Sequence, residues 1–286
     1  MLPVMLRNFE LRTVIASGGM GTVYTAQDVK LQRQVALKMM KREMAADAAI
    51  LQAFYREARA SASLNHTNII HIYSFDEFDG QPYLVMELAD QGSLDSRIET
   101  ETRVPELDVL DVGIKICSAL ATALQHKLLH RDIKPGNILY NIDGEPKLID
   151  FGLVRAAEDD TWEDQIWGTV YYVAPEKLER KGEDFHSDMY SLGATLYHAL
   201  TGHVPFEGTV EEVVSAHVHT ALTPPNLVAP DITELTSNAL ARALAKHPSE
   251  RFETYDDFRM ALEAARSQVL VGQVRQADPG KSWWRR

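Results

Sequence analysis

Four polar side chains in this sequence could bind a metal ion and phosphate groups if the fold brings them together. Lys38 ends an apolar segment, so its ammonium group could reach phosphate oxygens. Asp132 and Asn137 lie five residues apart in one loop, and Asp150 directly follows an apolar pair. Carboxylate and amide oxygens that converge from two loops suit a hard cation such as Mg²⁺, which then bridges nucleotide phosphates.

A glycine cluster lies near the N-terminus, within residues 16–23. Gly18, Gly19 and Gly21 separate two segments of strand composition. Because glycine has no side chain, the backbone N–H groups of such a turn can approach phosphate oxygens closely. The cluster is not a Walker loop, since no Gly-Lys-Ser/Thr follows, and alone it is equally typical of an ordinary hairpin turn.

The first third of the chain must position these residues, and it is composed mainly of strand-forming segments. Short β-rich runs with tight turns predict consecutive antiparallel strands. One Ala-, Arg- and Glu-rich segment interrupts them and predicts a helix. We expect strands at 9–16, 22–28, 34–40, 69–75 and 83–88 and a helix at 45–64.

The remaining chain is mainly helical. Apolar residues recur at helical spacing over 107–124 and predict one buried face, on which the single cysteine, Cys117, is a core residue. Further helices are expected at 187–200, 209–219, 231–245 and 255–266. Strands first and helices later predict an α+β fold with a β-rich and an α-rich lobe, joined by a polar hinge at 89–93.

The composition indicates which partners and which cellular compartment to expect. The 286-residue chain has a formal net charge of -12, which argues against a nucleic-acid polymer as partner because phosphate neutralisation needs clustered bases. One cysteine excludes an intrachain disulfide and favours a reducing compartment. No signal peptide and no apolar run of about 18 residues is visible, so we expect a cytoplasmic protein.

Taken in order, the motifs resemble those of eukaryotic-type (Hanks-type) serine/threonine protein kinases, especially bacterial members, over residues 9–266. The resemblance includes Ala174-Pro175-Glu176, the helix that begins near Ser187, and Arg251. It implies a bilobal protein-kinase fold, with an N-lobe at 9–88 and a C-lobe at 92–266. Residues 267–286 would form a separate basic and aromatic tail.

The resemblance assigns catalytic roles. Asp132 would accept the proton of the substrate hydroxyl, Lys134 would contact the γ-phosphate, and Lys38, oriented by Glu57, would hold the α- and β-phosphates. Asn137 and Asp150 would hold Mg²⁺, with Mn²⁺ as an alternative. The ATP-binding residues implied, besides Lys38, are Ile15, Ala16, Ser17, Gly18, Gly19, Met20, Gly21, Thr22, Val23, Ala36, Met86, Glu87, Ala89 and Leu139. Among them, the backbone from 87 to 89 would form the first part of the hinge and hydrogen-bond the adenine base.

Further roles concern the scaffold and the activation segment, residues 150–176. Glu176 would pair with Arg251, and Asp188 would accept hydrogen bonds from the backbone of the turn at 130–131. Thr169 would join Asp132 and Lys134. Thr161 is a candidate autophosphorylation site. Alternatively, the seven acids of the segment would partly replace a phosphate on Arg131, or the segment is simply a solvated acidic loop.

Two departures from the family pattern keep an alternative open. Ala16 stands where the first glycine of the loop is usual, and Ser61 stands where a large apolar residue is usual, beside Ile72, His130 and Phe151. A gap there would let the Glu57 helix swing out. The alternative function is a pseudokinase-like, nucleotide-binding interaction module. A small-molecule phosphotransferase fits less well, because Gly168-Thr169 and Ala174-Pro175-Glu176 resemble a peptide-docking platform.

The charge distribution suggests partners. Protein substrates with Ser or Thr are implied by the family resemblance, and the acidic activation segment favours basic flanking residues. Residues 264–286 contain five bases and one acid and end in Trp283-Trp284-Arg285-Arg286. This composition suits contact with a membrane interface, although a disordered terminus has the same composition.

Overall fold

The computed structural model describes residues 3–19, 21–151 and 170–277. By its internal packing, the chain divides into two compact units, and the β-rich and helical halves expected from the sequence are confirmed. The division differs from the predicted lobe boundaries, because residues 122–132 and 136–151, which include a small hairpin, group with the first unit. In described residues, unit 1 comprises 3–94, 122–132 and 136–151, and unit 2 comprises 95–121, 133–135 and 170–277.

Unit 1 is built on a six-stranded antiparallel sheet in the order β1-β2-β3-β4-β6-β5. One face buries an apolar cluster that includes Leu11, Val35, Leu37 and Tyr83. Burial of alternate side chains fixes the register, because a one-residue slip would expose this cluster. The strands are β1 Val4–Leu6, β2 Phe9–Ser17, β3 Gly21–Asp28, β4 Arg33–Met40, β5 Ile72–Phe78 and β6 Gln81–Met86.

The helical segment of unit 1 differs from the single predicted helix. It forms two helices, α1 (Arg42–Ala45) and α2 (Ala48–Ala62). The break lies at Asp47, whose carboxylate accepts hydrogen bonds from the N–H groups of Ala49 and Ile50 and so caps α2. Phe54 and Ala58 of α2 pack against the sheet with Met40 and Leu84. Unit 1 also contains a hairpin of β7 (Ile138–Tyr140) and β8 (Pro146–Leu148).

Two further differences concern strands. The predictions omit β1, which pairs antiparallel with β2 through a tight turn where Arg7 has φ of 51°. They also begin β5 too early, because Ile69 instead forms an isolated bridge to Leu148. Short edge segments carry little periodic signal, so tertiary pairing decides their ends.

Unit 2 consists of helices around an apolar core. Cys117 is fully buried, and burial raises the pKa of its thiol well above the ordinary value, which fits the role of a core residue. Gly202 ends α6 at φ of 76°, a left-handed conformation that glycine adopts without strain. The helices are α3 Leu94–Glu101, α4 Glu106–Gln125, which extends into unit 1, α5 Pro175–Leu178, α6 Phe185–Thr201, α7 Val210–His219, α8 Pro225–Val228, α9 Glu234–Ala243 and α10 Tyr255–Ala277.

The last helix is longer than the sequence predicts. We expected it to end near residue 266, whereas α10 continues to Ala277 and therefore includes the first part of the predicted tail. Leu270, Val271 and Val274 are exposed on this extension. Within the three described ranges, no helix combines the length and the apolar character needed to cross a membrane. Residues 278–286, with both tail tryptophans, lie outside the described residues.

Candidate active site

Lys38 and Asp150 meet within unit 1. Strand β4 places Lys38 between Val23 of β3 and Leu84 of β6. Its ammonium donates a hydrogen bond to Asp150 Oδ1 at 2.7 Å, and both side chains are partly exposed. The side chain of Glu57 lies outside the described part of the chain, so its pairing with Lys38 stays a prediction.

Asp132 and Asn137 are joined directly. The Asn137 side-chain N–H₂ group donates to the backbone carbonyl of Asp132 at 2.7 Å and to Asp132 Oδ2 at 2.9 Å. Asn137 is buried at the end of a short 3₁₀ turn, Pro135–Asn137, so its orientation is restricted. This arrangement commits the amide nitrogen to Asp132 and leaves the amide oxygen to accept a hydrogen bond or bind a cation.

The buried His130 connects the two loops that carry these residues. Its Nε2–H donates to the carbonyl of Ile149 at 2.8 Å, and its Nδ1 accepts the N–H of Asp132 at 3.3 Å. The N–H of Ile149 also donates to the carbonyl of Asn137 at 3.0 Å. The His130 ring packs edge-on against Phe151, with centroids 4.8 Å apart. The loop that carries Asp132 and Asn137 is therefore held against Asp150 by hydrogen bonds and packing.

Two residues of the site have a left-handed backbone. Arg131 has φ of 67° and Asp150 has φ of 57°. Such conformations are uncommon outside glycine, although Asp tolerates them better than most residues. Conformations of this kind cluster at functional sites, where surrounding contacts hold them in place. Here the hydrogen bonds of the neighbouring Ile149 and His130 provide those contacts.

The donor set fits a hard divalent cation. Asn137 offers an amide oxygen, Asp150 offers a carboxylate, and the hydrogen bond between Ile149 and Asn137 keeps the two loops adjacent. Mg²⁺ is bound in this way by one or two protein oxygens, with water and substrate phosphates as its other ligands.

The three glycines of the glycine turn differ in whether the surrounding structure leaves room for a side chain. The N–H of Gly18 donates to the carbonyl of Gly21 at 2.9 Å. A side chain at Gly21 would overlap the carbonyl oxygen of Met39 on β4, so glycine is needed there for strand packing. A methyl group at Gly18 or Gly19 would meet no atom of the described residues within 4 Å, so their surroundings are open. Met20 lies outside the described residues.

The other predicted ATP-binding residues lie on several segments of unit 1. Ala36 of β4 is the register partner of Met86 on β6, and Ala89 follows in the hinge. The hinge in turn pairs with β7, because the N–H of Tyr140 donates to the carbonyl of Gly92 at 2.9 Å. Leu139 of β7 forms an isolated antiparallel β-bridge with Ser93 and therefore lies beside the hinge. The other predicted residues, on β2 and β3, are Ile15, Ala16, Ser17, Thr22 and Val23.

Several predictions are not tested by these contacts. Lys134 groups with unit 2, so its reach toward a γ-phosphate stays a prediction. Asp188 is buried near the start of α6, and its predicted bond to the 130–131 turn likewise stays a prediction. Thr161 and Thr169 lie outside the described residues. Ser61 is buried on α2, at only 5% exposure, as expected for a position usually filled by an apolar side chain.

The ion pair expected between Glu176 and Arg251 is present inside unit 2. The guanidinium donates two parallel hydrogen bonds to the carboxylate, at 2.7 and 2.8 Å, and Ser187 Oγ donates to the same carboxylate at 2.7 Å. Burial alone raises the pKa of Glu176, but the hydrogen bonds and charge of Arg251 and the Ser187 hydroxyl lower it more, so the net shift is downward.

These features together define the catalytic domain of a protein kinase. A lysine on a strand, an Asp–Asn pair in one loop and a second Asp beside them are the groups that this class uses to position ATP, a divalent metal and a hydroxyl. The chain belongs to the protein kinase domain family, whose model matches residues 9–262. Members of the family use ATP and a divalent metal ion and act on proteins.

Similar proteins of named function include bacterial serine/threonine-protein kinases. PknB of Mycobacterium leprae is 34% identical over 268 residues, and PrkC of Bacillus subtilis is 34% identical over 260 residues. These alignments cover 91% and 90% of this chain but only 43% and 40% of the relatives. The chain thus spans less than half the length of these two relatives. Their names support the kinase interpretation and not the pseudokinase alternative.

Solved structures agree with the fold. The kinase domain of Mycobacterium tuberculosis PknI superposes with a TM-score of 0.70 at 26% identity, covering 92% of this chain and 98% of that one. The bilobal protein-kinase fold inferred from the sequence motifs is therefore confirmed.

One charged contact of the site was not predicted. Lys147, in the middle of β8, is buried, and its ammonium lies 2.5 Å from Glu87 Oε1 in the hinge. A sequence signal existed, because a lysine between Pro146 and Leu148 interrupts an otherwise apolar strand just before Asp150. A buried lysine requires a partner, but nothing local in the sequence identifies Glu87 as that partner.

Proposed function

We propose that this chain is a serine/threonine protein kinase that transfers the γ-phosphoryl group of ATP to hydroxyl groups of proteins. The observation that carries this proposal is the Asp132–Asn137 pair, tied through Ile149 to Asp150 and from there to Lys38. This arrangement supports the proposal, because it would provide a proton acceptor, two metal-binding oxygens and a phosphate-binding cation within one unit, as phosphoryl transfer requires.

Asp132 would orient the substrate hydroxyl and accept its proton as the oxygen attacks phosphorus. The hydrogen bond from Asn137 to Oδ2 supports this role, because it fixes the orientation of the carboxylate. Asn137 Oδ1 and Asp150 would hold Mg²⁺, with Mn²⁺ as an alternative. The bound metal would neutralise charge on the phosphates. Lys38 would contact the α- and β-phosphates, and Lys134 the γ-phosphate.

The substrate preference follows from the charge of the activation segment. Residues 150–176 contain seven acids and one base. We expect peptides with Arg or Lys around the target Ser or Thr to have a lower KM than acidic peptides, and this preference should fade as salt rises. Equal KM values for basic and acidic peptides at low salt would contradict the proposed substrate preference. They would leave the proposed kinase activity unaffected.

Location and tail contact are also part of the proposal. The single cysteine favours the reducing environment of the cytoplasm. The basic and aromatic residues at 281–286 would contact anionic lipids on the cytoplasmic face of a membrane. Sedimentation with phosphatidylserine vesicles at low salt tests this contact, with the chain ending at residue 277 as control. Equal sedimentation of both chains would refute it.

The proposed activity is tested by incubating the chain with MgATP and a basic substrate protein, followed by phosphosite mapping. We expect phosphate on Ser or Thr and none on Tyr, and no transfer by Asp132→Asn. Nucleotide binding without transfer by the wild type would instead support the interaction module. Mapping the chain itself tests Thr161, because absence of phosphate there removes it as an autophosphorylation site.

A further inference from the structure

The ion pair between Glu87, which is partly exposed, and Lys147, which is buried, lies where the hinge meets β8. Glu87 directly follows β6 and begins the hinge segment, and Lys147 is the central residue of β8. Their charged atoms are 2.5 Å apart, and the side chains are only 18% and 8% exposed. We propose that Lys147 is a positioning residue for the nucleotide, because its ammonium fixes Glu87 and thereby the hinge backbone from 87 to 89.

Glu87 is hydrogen-bonded to His71, the residue before β5, as well as paired with Lys147. The backbone N–H of Glu87 donates to the carbonyl of His71 at 2.8 Å, and Glu87 Oε2 accepts the N–H of His71 at 3.3 Å. Its other carboxylate oxygen, Oε1, contacts Lys147. Backbone and side chain of the same residue are therefore both held, so a change in the side-chain contact moves the hinge peptide directly.

Lys147 occupies a rigid position. The Asn68 side-chain N–H₂ group donates to the carbonyl of Pro146 at 2.9 Å, immediately before Lys147. Immediately after it, the N–H of Leu148 donates to the carbonyl of Asn68 at 2.8 Å, and the N–H of Ile70 donates to the carbonyl of Leu148 at 3.0 Å. These three bonds fix β8 on both sides of the lysine, so the ammonium is preorganised toward Glu87.

The neighbouring His66 lies close enough to Lys147 to be affected by its charge. Burial, and then the positive charge of Lys147, lower the pKa of His66, so its ring is neutral near pH 7. Its Nδ1 accepts the N–H of Asn68 at 3.0 Å, which orients the loop that holds β8.

A largely buried pair of this kind is sensitive to removal of one partner, since the remaining charge is left without compensation. After Lys147→Met, the Glu87 carboxylate would turn toward water or other donors and displace the hinge peptide. Lys147 also lies three residues before Asp150 on the same segment, so β8 links the hinge to the predicted metal ligand. The inference rests on the proposed function, because it assumes that the hinge binds adenine.

The test compares ATP affinity and kinetics of purified variants of the full chain. We expect Lys147→Met to raise the ATP Kd and KM at least threefold, with little change in kcat or in KM for a peptide. Lys147→Arg, which keeps the charge, should remain within about twofold of wild type. Lys177→Met is the matched control, because Lys177 pairs with Glu183 at 3.2 Å in unit 2, and it should leave the ATP Kd unchanged.

The double variant Glu87→Gln/Lys147→Met keeps the test decisive if the single variant does not fold. It leaves no uncompensated buried charge, and it should show about the same rise in ATP Kd as either single change. A reduced melting temperature with unchanged ATP Kd would refute the positioning role and leave a structural one. A lower ATP Kd would refute it as well. If wild type binds ATP but transfers no phosphate, the proposed function fails while the Kd comparison still tests the hinge.

Discussion

Two Arg–carboxylate pairs of unit 2, one buried and one exposed, allow the contribution of burial to stability to be measured. Arg251 donates from Nη1 and Nη2 to the two oxygens of Glu176 at 2.7 and 2.8 Å, whereas Arg103 donates from Nη2 alone to both oxygens of Asp231 at 2.9 Å. The side chains of the first pair are 0% and 9% exposed, whereas those of the second are 38% and 71% exposed. We predict that Glu176→Gln destabilises the fold far more than Asp231→Asn.

The expected magnitude follows from what remains around Arg251. Its guanidinium also donates to the carbonyls of Ala245, His186 and Lys246, at 2.8, 2.8 and 3.1 Å. These carbonyls satisfy hydrogen bonds but do not neutralise the charge. Breaking a buried pair by removing one partner costs about 3–5 kcal/mol. An exposed pair is worth about 0–1 kcal/mol, since water and salt screen it.

The assay is urea unfolding at pH 7, followed by far-UV circular dichroism for wild type and both variants. We expect a loss of at least about 3 kcal/mol for Glu176→Gln and less than about 1 kcal/mol for Asp231→Asn. Equal losses in the two variants would refute the argument from burial. Arg251 would then be stabilised by its three carbonyl contacts rather than by the carboxylate.

Three further predictions concern single groups. Gly21→Ala should weaken ATP binding and lower the melting temperature because its side chain would overlap Met39, whereas Gly19→Ala should leave the melting temperature unchanged. Thr209→Ala removes the capping box of α7 and should cost about 1 kcal/mol in urea unfolding. Because the pKa of Glu176 is lowered in the folded state, its stabilisation is present above about pH 4.5 and lost as the pH falls further. Wild type should therefore lose more stability on acidification than Glu176→Gln does.

The residues predicted to carry the chemistry could be identified in the sequence because their types and order are distinctive. Lys38, Asp132, Asn137 and Asp150 each lie on a strand or in a loop beside one, where side chains can reach a ligand. The structure brings them together through His130 and Ile149. That contact network could not be predicted. It forms only when two loops that are separated in the sequence pack together, and no local sequence pattern indicates that they do.

The helix and strand boundaries show a similar limit. The periodic helices α4 and α6 begin and end within two residues of the expected positions. The prediction for the segment at 45–64 was wrong at one point, because the carboxylate of Asp47 captures two N–H groups and starts a new helix. Such a cap competes with helix continuation by only about 1 kcal/mol, which composition does not resolve.

Long-range charge pairing was predictable only where the family resemblance provided it. The Glu176–Arg251 pair was expected from the motifs, whereas the Glu87–Lys147 pair was not. Both pairs join residues that are distant in sequence, and each contains a buried basic side chain. The second shows that a charged residue in a short apolar strand indicates a partner elsewhere in the chain, even when no local pattern identifies it.

The central claim is that Asp132 performs the chemistry and does not simply support nucleotide binding. The most direct measurement is the initial rate of γ-phosphoryl transfer by Asp132→Asn, with the ATP Kd determined on the same sample. We predict a fall in rate of about 10²–10⁴-fold, as expected for loss of a general base, with a Kd within about threefold of wild type. A variant rate within about tenfold of wild type, with intact binding, would contradict this role for Asp132.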